Sequence, residues 1–108
     1  MIIDRIENYE NGWFVGDFIP SIIKNKDFEV GYKKHKKEEK YSKHYHKETI
    51  EINLLTKGEM IIQGKRLTAG DIFIIYPYEI SDPDFITDCE VMIVRYPSIP
   101  TDKTIINE

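Results

Sequence analysis

His44-Tyr45-His46-Lys47-Glu48-Thr49-Ile50-Glu51, closed seven residues later by Gly58, is the segment from which the rest of the chain is read. Side chains alternate faces along an extended strand, so imidazoles at i and i+2 point the same way. A carboxylate returning on the next strand, Glu51, then meets them. Two neutral nitrogens and one oxygen converging from adjacent strands suit a borderline divalent metal such as Zn, Fe, Ni or Mn. The segment therefore predicts both a hairpin and a candidate ligand set of His44, His46 and Glu51.

Working outward, short β-branched and aromatic runs are separated by turn residues, and few segments carry a helical period. That spacing predicts an all-β sandwich or barrel of about nine strands. Trp13 to Phe18 reads as a strand ended by Pro20, and Ser21 to Lys26 as one helical turn or an irregular crossing. Phe28, Val30 and Tyr32 alternate with Glu29, Gly31 and Lys33, the pattern of a half-buried strand. After the hairpin, Lys57-Gly58-Glu59 is a tight turn, and Met60 to Gln63 pairs with Arg66 to Thr68 across Gly64-Lys65. Ile72 to Tyr76 is an almost continuous apolar run, as expected of a strand buried on both faces, and Pro77 stops it. Cys89 opens the last strand pattern as a partly buried small hydrophobe, with Glu90 to Tyr96 following. Pro97 and Pro100 end the ladder, and Asp102 and Lys103 are placed to tie down the tail.

The 108 residues fit one domain: residues 1–27 as an N-terminal strand segment, 28–96 as the motif region, 97–108 as a proline-containing tail. A formal charge of −4 gives no reason to expect nucleic acid. One local exception, Lys33 to Lys43, carries six lysines. It reads first as a solvated strand edge and second as an attractor for an anionic substrate. Met1-Ile2-Ile3-Asp4-Arg5 lacks the basic and apolar regions of a secretory signal, and no apolar run is long enough to span a membrane. With a single cysteine and hence no internal disulfide, the expected location is cytoplasmic.

The spacing His-x-His-x4-Glu-x6-Gly, filled by His44, His46, Glu51 and Gly58, resembles the first motif of the cupins, small double-sheet jelly rolls with a site inside the barrel. Their second motif, Gly-x5-Pro-x-Gly-x2-His-x3-Asn, is matched only at its start by Gly70-Asp71, the apolar run and Pro77, with six intervening residues. Glu79 stands at its usual glycine and Asp82 at its histidine. The resemblance implies a single-domain cupin with a degenerate second motif. Asp82 or Glu79 would complete the metal sphere or act as the general base, or water would fill the fourth position.

Further candidates follow from position. Asn53 lies on the face of Glu51 and is a candidate for binding substrate, as are Tyr76 and Tyr78 beside Pro77. An inward Arg95 would demand a carboxylate or an anionic ligand. His35 is expected outside the site, exposed among lysines. The activity these imply is a metal-dependent enzyme on a small polar metabolite, with sugar or sugar-acid isomerisation or epimerisation favoured over dioxygenation. The alternatives are a non-catalytic metabolite-binding cupin and a metal-free sugar-nucleotide isomerase using the histidine pair as acid and base. The Trp13 to Phe18 strand is available to pair with a neighbour, which suggests a homodimer.

Overall fold

The histidine segment passes between two sheets rather than forming the expected hairpin, its first strand pairing with the tail and its second with two other strands, in a computed structural model that describes residues 1–107. Two single 3-10 turns, Ile6–Asn8 and Glu10–Gly12, lead into eleven strands among the described residues. These are β1 (Trp13–Gly16), β2 (Ile23–Lys24), β3 (Glu29–His35), β4 (His44–Tyr45), β5 (Ile50–Lys57) and β6 (Glu59–Ile62). They continue as β7 (Lys65–Thr68), β8 (Ile72–Ile75), β9 (Asp84–Phe85), β10 (Cys89–Tyr96) and β11 (Thr104–Ile105). The largest sheet has the order β2-β1-β3-β10-β5-β8, facing a three-stranded sheet β7-β6-β9 and a β11-β4 pair. The chain thus passes back and forth between sheets, and no sheet closes into a barrel among the described residues.

The turns follow the chemistry of the sequence. Gln63 and Gly64 both have positive φ, 49° and 72°, which gives the β6–β7 hairpin the two-residue turn that matches strand twist. Gly58, at φ 95°, joins β5 to β6 where a Cβ would sit 2.1 Å from the Asp88 carbonyl oxygen. Only glycine fits there. Its place at the end of the motif is thus a packing requirement.

The core lies between the layers and joins Leu55, Met60, Ile62, Ile75, Phe85, Cys89, Val91 and Ile93. Cys89 is buried as expected, its thiol donating to the Glu59 carbonyl at 3.2 Å. Two strands differ from expectation. In β3 the buried positions are Glu29, Gly31 and His35, while Val30 and Tyr32 are only half-buried and Phe28 is exposed. The inward face is therefore the polar one. Trp13 fills the space over Gly31, where a Cβ would lie 2.7 Å from the indole, and Arg95 neutralises Glu29. β8 is an edge strand whose Ile72 and Ile74 are 69% and 44% exposed, with only Ile75 buried. An unbroken apolar run cannot by itself tell an edge strand from a central one.

The N-terminal and C-terminal segments also settle differently from the reading. β1 is taken up within its own sheet between β2 and β3. The tail after Pro100 regains a ladder, pairing Thr104 with Tyr45 and Ile105 with His44. Asp102 anchors it, accepting from the backbone N–H groups of Lys47, Glu48 and Thr49 at 2.8, 2.8 and 2.9 Å. These bonds outweigh burial and hold the Asp102 carboxyl below its usual range.

Candidate functional site

Register decides what faces the interior. Arg95 of β10 lies opposite Glu29 of β3 on one side and Glu51 of β5 on the other. The next inward row is Gly31, Ile93 and Asn53, and the one after it Lys33, Val91 and Leu55. One end of the inner face is thus charged and the other apolar. Between them lies an interior cavity of ≈ 50 Å³, with Lys33, His35, His44, Glu51, Asn53 and Arg95 as its polar walls and Trp13, Tyr41 and Phe85 among its aromatic ones.

Glu51 is the most strongly held group. Arg95 Nε donates to its Oε2 at 2.6 Å, and His46 Nε2 stands 3.4 Å from the same oxygen. Burial pushes the carboxyl up, but the His46 ring and the Arg95 guanidinium outweigh it and hold the pKa at about 2. The His46 approach lacks hydrogen-bond geometry, leaving Nε2 buried and without a hydrogen-bond partner. The short, direct Arg95 contact is accordingly the dominant support.

Both histidines have their tautomers set by carbonyls. His44 Nδ1 donates to the Ser42 carbonyl at 2.9 Å, and His46 Nδ1 donates to that of Asp102. Each ring therefore turns Nε2 inward, and the ring centres are 5.1 Å apart. Burial, above all, keeps the His44 pKa below its ordinary value, so it is neutral at pH 7. His44 is further fixed by backbone exchange with Ser81 in both directions, at 3.1 and 2.8 Å.

The structure brings His44, His46, Glu51, Asn53 and Arg95 together. Asn53 is buried, with one amide contact at 3.5 Å to the Phe73 carbonyl. Glu79 and Asp82 lie elsewhere, in an open surface depression with Gln63 and Tyr78. Glu79 accepts from the Tyr76 backbone and Asp82 from the Gln63 backbone, at 3.0 and 2.8 Å, so both fasten loops. Tyr76 and Tyr78 are exposed and line no part of the cavity, and Tyr78 stacks on Tyr45 at 5.7 Å.

His35 is the reverse of its expectation. It is buried, stacked on Phe85 at 4.2 Å, and its Nδ1 donates to Glu39 at 2.6 Å. The strand pattern gave no signal for this, because the apolar residues of β3 mark the opposite face as buried. Lys103 was missed as a site residue, and Lys33 was read only within the lysine-rich stretch whose second reading was an anion attractor. Lys33 is a cavity wall, and Lys103 Nζ stands 4.9 Å from the Tyr41 ring centre. Burial first, then the neighbouring Arg95, lowers the pKa of both ammonium groups. Neither forms an ion pair among the described residues.

As placed, these side chains do not fit a three-ligand metal centre. Among the described residues no group of three His, Cys, Asp or Glu side chains is arranged to hold an ion. The physical reason is that the Glu51 oxygen nearest His46 is already bound by a cation, Arg95.

The architecture is cupin-like. No protein-family model matches the chain, and no curated protein matches it by sequence. Solved structures do. An uncharacterised double-stranded β-helix protein from Klebsiella pneumoniae superposes with TM-score 0.70 at 17% identity, over 81% of this chain and 76% of that one. A cupin-2 domain protein from Shewanella frigidimarina gives 0.54 at 21%, over 68% and 74%. Ectoine synthase from P. lautus gives 0.64 at 12%, over 99% and 91%. At such identities the likeness is one of fold. Among the described residues no helix is long and apolar enough to cross a membrane.

Proposed function

We propose that the chain binds a small anionic metabolite, or the anionic head of a larger one, in the interior cavity. The observation that carries this is a pair of ammonium groups, Lys33, a half-buried wall of the cavity, and Lys103, exposed but lying over Tyr41 of the same cavity, neither with an ion-pair partner among the described residues. Like charges gathered beside a partly enclosed cavity repel one another, and an anion relieves them. Glu51 offsets this only in part at Lys103, since Arg95 holds it. Neutral His44, with Nδ1 fixed as donor and Nε2 free, presents an acceptor to any acidic hydrogen of the ligand. Asn53 adds an amide to the same wall.

Size narrows the ligand. A cavity of ≈ 50 Å³ has room for a few water-sized centres, enough for a carboxylate or phosphate but not for a sugar nucleotide. This supports the metabolite-binding reading over a sugar-nucleotide isomerase. A second reading, metal-free proton transfer to His44, draws on the same fixed tautomer and on the low His44 pKa, which keeps the base unprotonated at neutral pH.

The test is calorimetric titration with small carboxylates, phosphate and sulfate, against neutral polyols, for the natural protein and the K33A/K103A variant. At least one anion is expected to bind the natural protein, with at least about a tenfold loss in the variant. Equal binding by both proteins, or no anion bound at millimolar concentration, would reject the proposal.

A further inference from the structure

We infer that Arg95 takes the place of a divalent metal beside His44, His46 and Glu51, and that a two-histidine, one-carboxylate metal site is latent beneath it. This goes beyond anion binding and does not depend on which anion the cavity accepts. Its basis is a row of three charged side chains in register across adjacent strands: Glu29 of β3, Arg95 of β10 and Glu51 of β5. The guanidinium donates to Glu51 at 2.6 Å, lies 3.6 Å from Glu29, and is stacked 4.5 Å from the Trp13 ring centre.

Everything around Arg95 holds it there. Glu29 is 2% exposed, and its second oxygen accepts from the Ser98 hydroxyl at 3.0 Å. Ser98 is itself fixed by the Asp17 backbone N–H at 2.8 Å. Gly16 has no side chain because a Cβ would lie 2.7 Å from that of Glu29. A buried carboxylate supported this carefully, with Arg95 as its one ion-pair partner among the described residues, makes the arginine a built-in component rather than an incidental neighbour.

The same contacts exclude a metal. An ion at Glu51 would sit about 2.1 Å from the oxygen that the arginine already occupies, and two units of positive charge would face a fixed guanidinium. Yet the nitrogen donors retain the arrangement that ligating histidines have. Both Nδ1 atoms donate to carbonyls, and both Nε2 atoms are bare, that of His46 buried without a hydrogen-bond partner. Remove the guanidinium and its second carboxylate, and one carboxylate and two imidazoles remain.

The experiment compares the natural protein, R95K and the R95M/E29Q double variant, each titrated with Zn²⁺ and Ni²⁺ at neutral pH. Removing both partners avoids leaving Glu29 buried and unpaired. The double variant is expected to bind one ion per chain at least about 100-fold more tightly than the natural protein, and adding H46A should abolish the gain. R95K keeps a cation and should keep the metal out. Failure of the double variant to gain affinity, measured with circular dichroism confirming its fold with or without metal, overturns the inference. The natural protein also decides by itself. Imidazole nitrogen NMR signals of His44 and His46 unmoved by one equivalent of Zn²⁺ are expected, and a stoichiometric shift refutes the assignment. Because the anion titration uses no metal and other variants, either reading can fail without the other.

Discussion

Acid should remove a specific part of this protein's stability, and Glu51 is the residue to watch. Its carboxyl moves from the ordinary 4.5 to about 2 on folding. At about 1.4 kcal/mol for each tenfold change in proton affinity, that corresponds to about 3 kcal/mol. The folded-state pKa is depressed, so the contribution is complete above pH 4.5 and is lost as pH falls toward 2. By pH 3 about 2 kcal/mol of it is gone, a large share of a small domain's stability. His44 erodes stability over a higher window, because its lowered pKa makes protonation favour the unfolded chain below 6.5. The two are separated with E51Q, which preserves shape without the titrating group. Urea unfolding of both proteins from pH 7 to pH 3 should show their stability gap shrinking below pH 4.5. A gap that stays constant across that range would mean that Glu51 is not the buried partner of Arg95 in solution.

Other expectations follow from single contacts. G58A must place a methyl 2.1 Å from the Asp88 carbonyl oxygen at φ 95°, and should lose more than about 2 kcal/mol in chemical denaturation; a neutral effect would contradict the turn. D102A leaves three backbone N–H groups without their shared acceptor, and should cost about 2 kcal/mol and loosen the tail, read as faster amide exchange at Lys47 to Thr49. Anion affinity should decline as pH rises, and begin to do so below the 10.5 of an ordinary lysine, because the ammonium groups of Lys33 and Lys103 have lowered pKa values. Affinity that stays flat from pH 7 to 10.5 would remove both lysines from the site.

The expected hairpin does not form, since β4 pairs with β11 and β5 with β10 and β8, but the grouping of its side chains was legible because that code is local. Alternation along one strand places His44 and His46 together, and the return after Thr49 brings Glu51 back at fixed spacing. Gly58 and a hairpin turn at Gly64 were legible for the same reason, although the turn residues are Gln63-Gly64 rather than Gly64-Lys65, with Lys65 paired to Ile62. β3 was not. Its apolar residues marked the wrong face as buried, because the inward Glu29 is tolerated only through an arginine 66 positions later.

The loop residues show the same boundary. Glu79 and Asp82 stand at the right offsets from Pro77, yet the chain turns after Tyr78, at φ 67°, and directs both toward Gln63. Lys103 enters the site only because the tail returns to pair with β4. From the sequence alone come the all-β character, most of the turns and the grouping of His44, His46 and Glu51, since each depends on side-chain periodicity or local backbone sterics. Only the tertiary structure decided which cation neutralises Glu51. That depends on the register of β10 between β3 and β5, a long-range pairing that the spacing of residues along one chain does not encode.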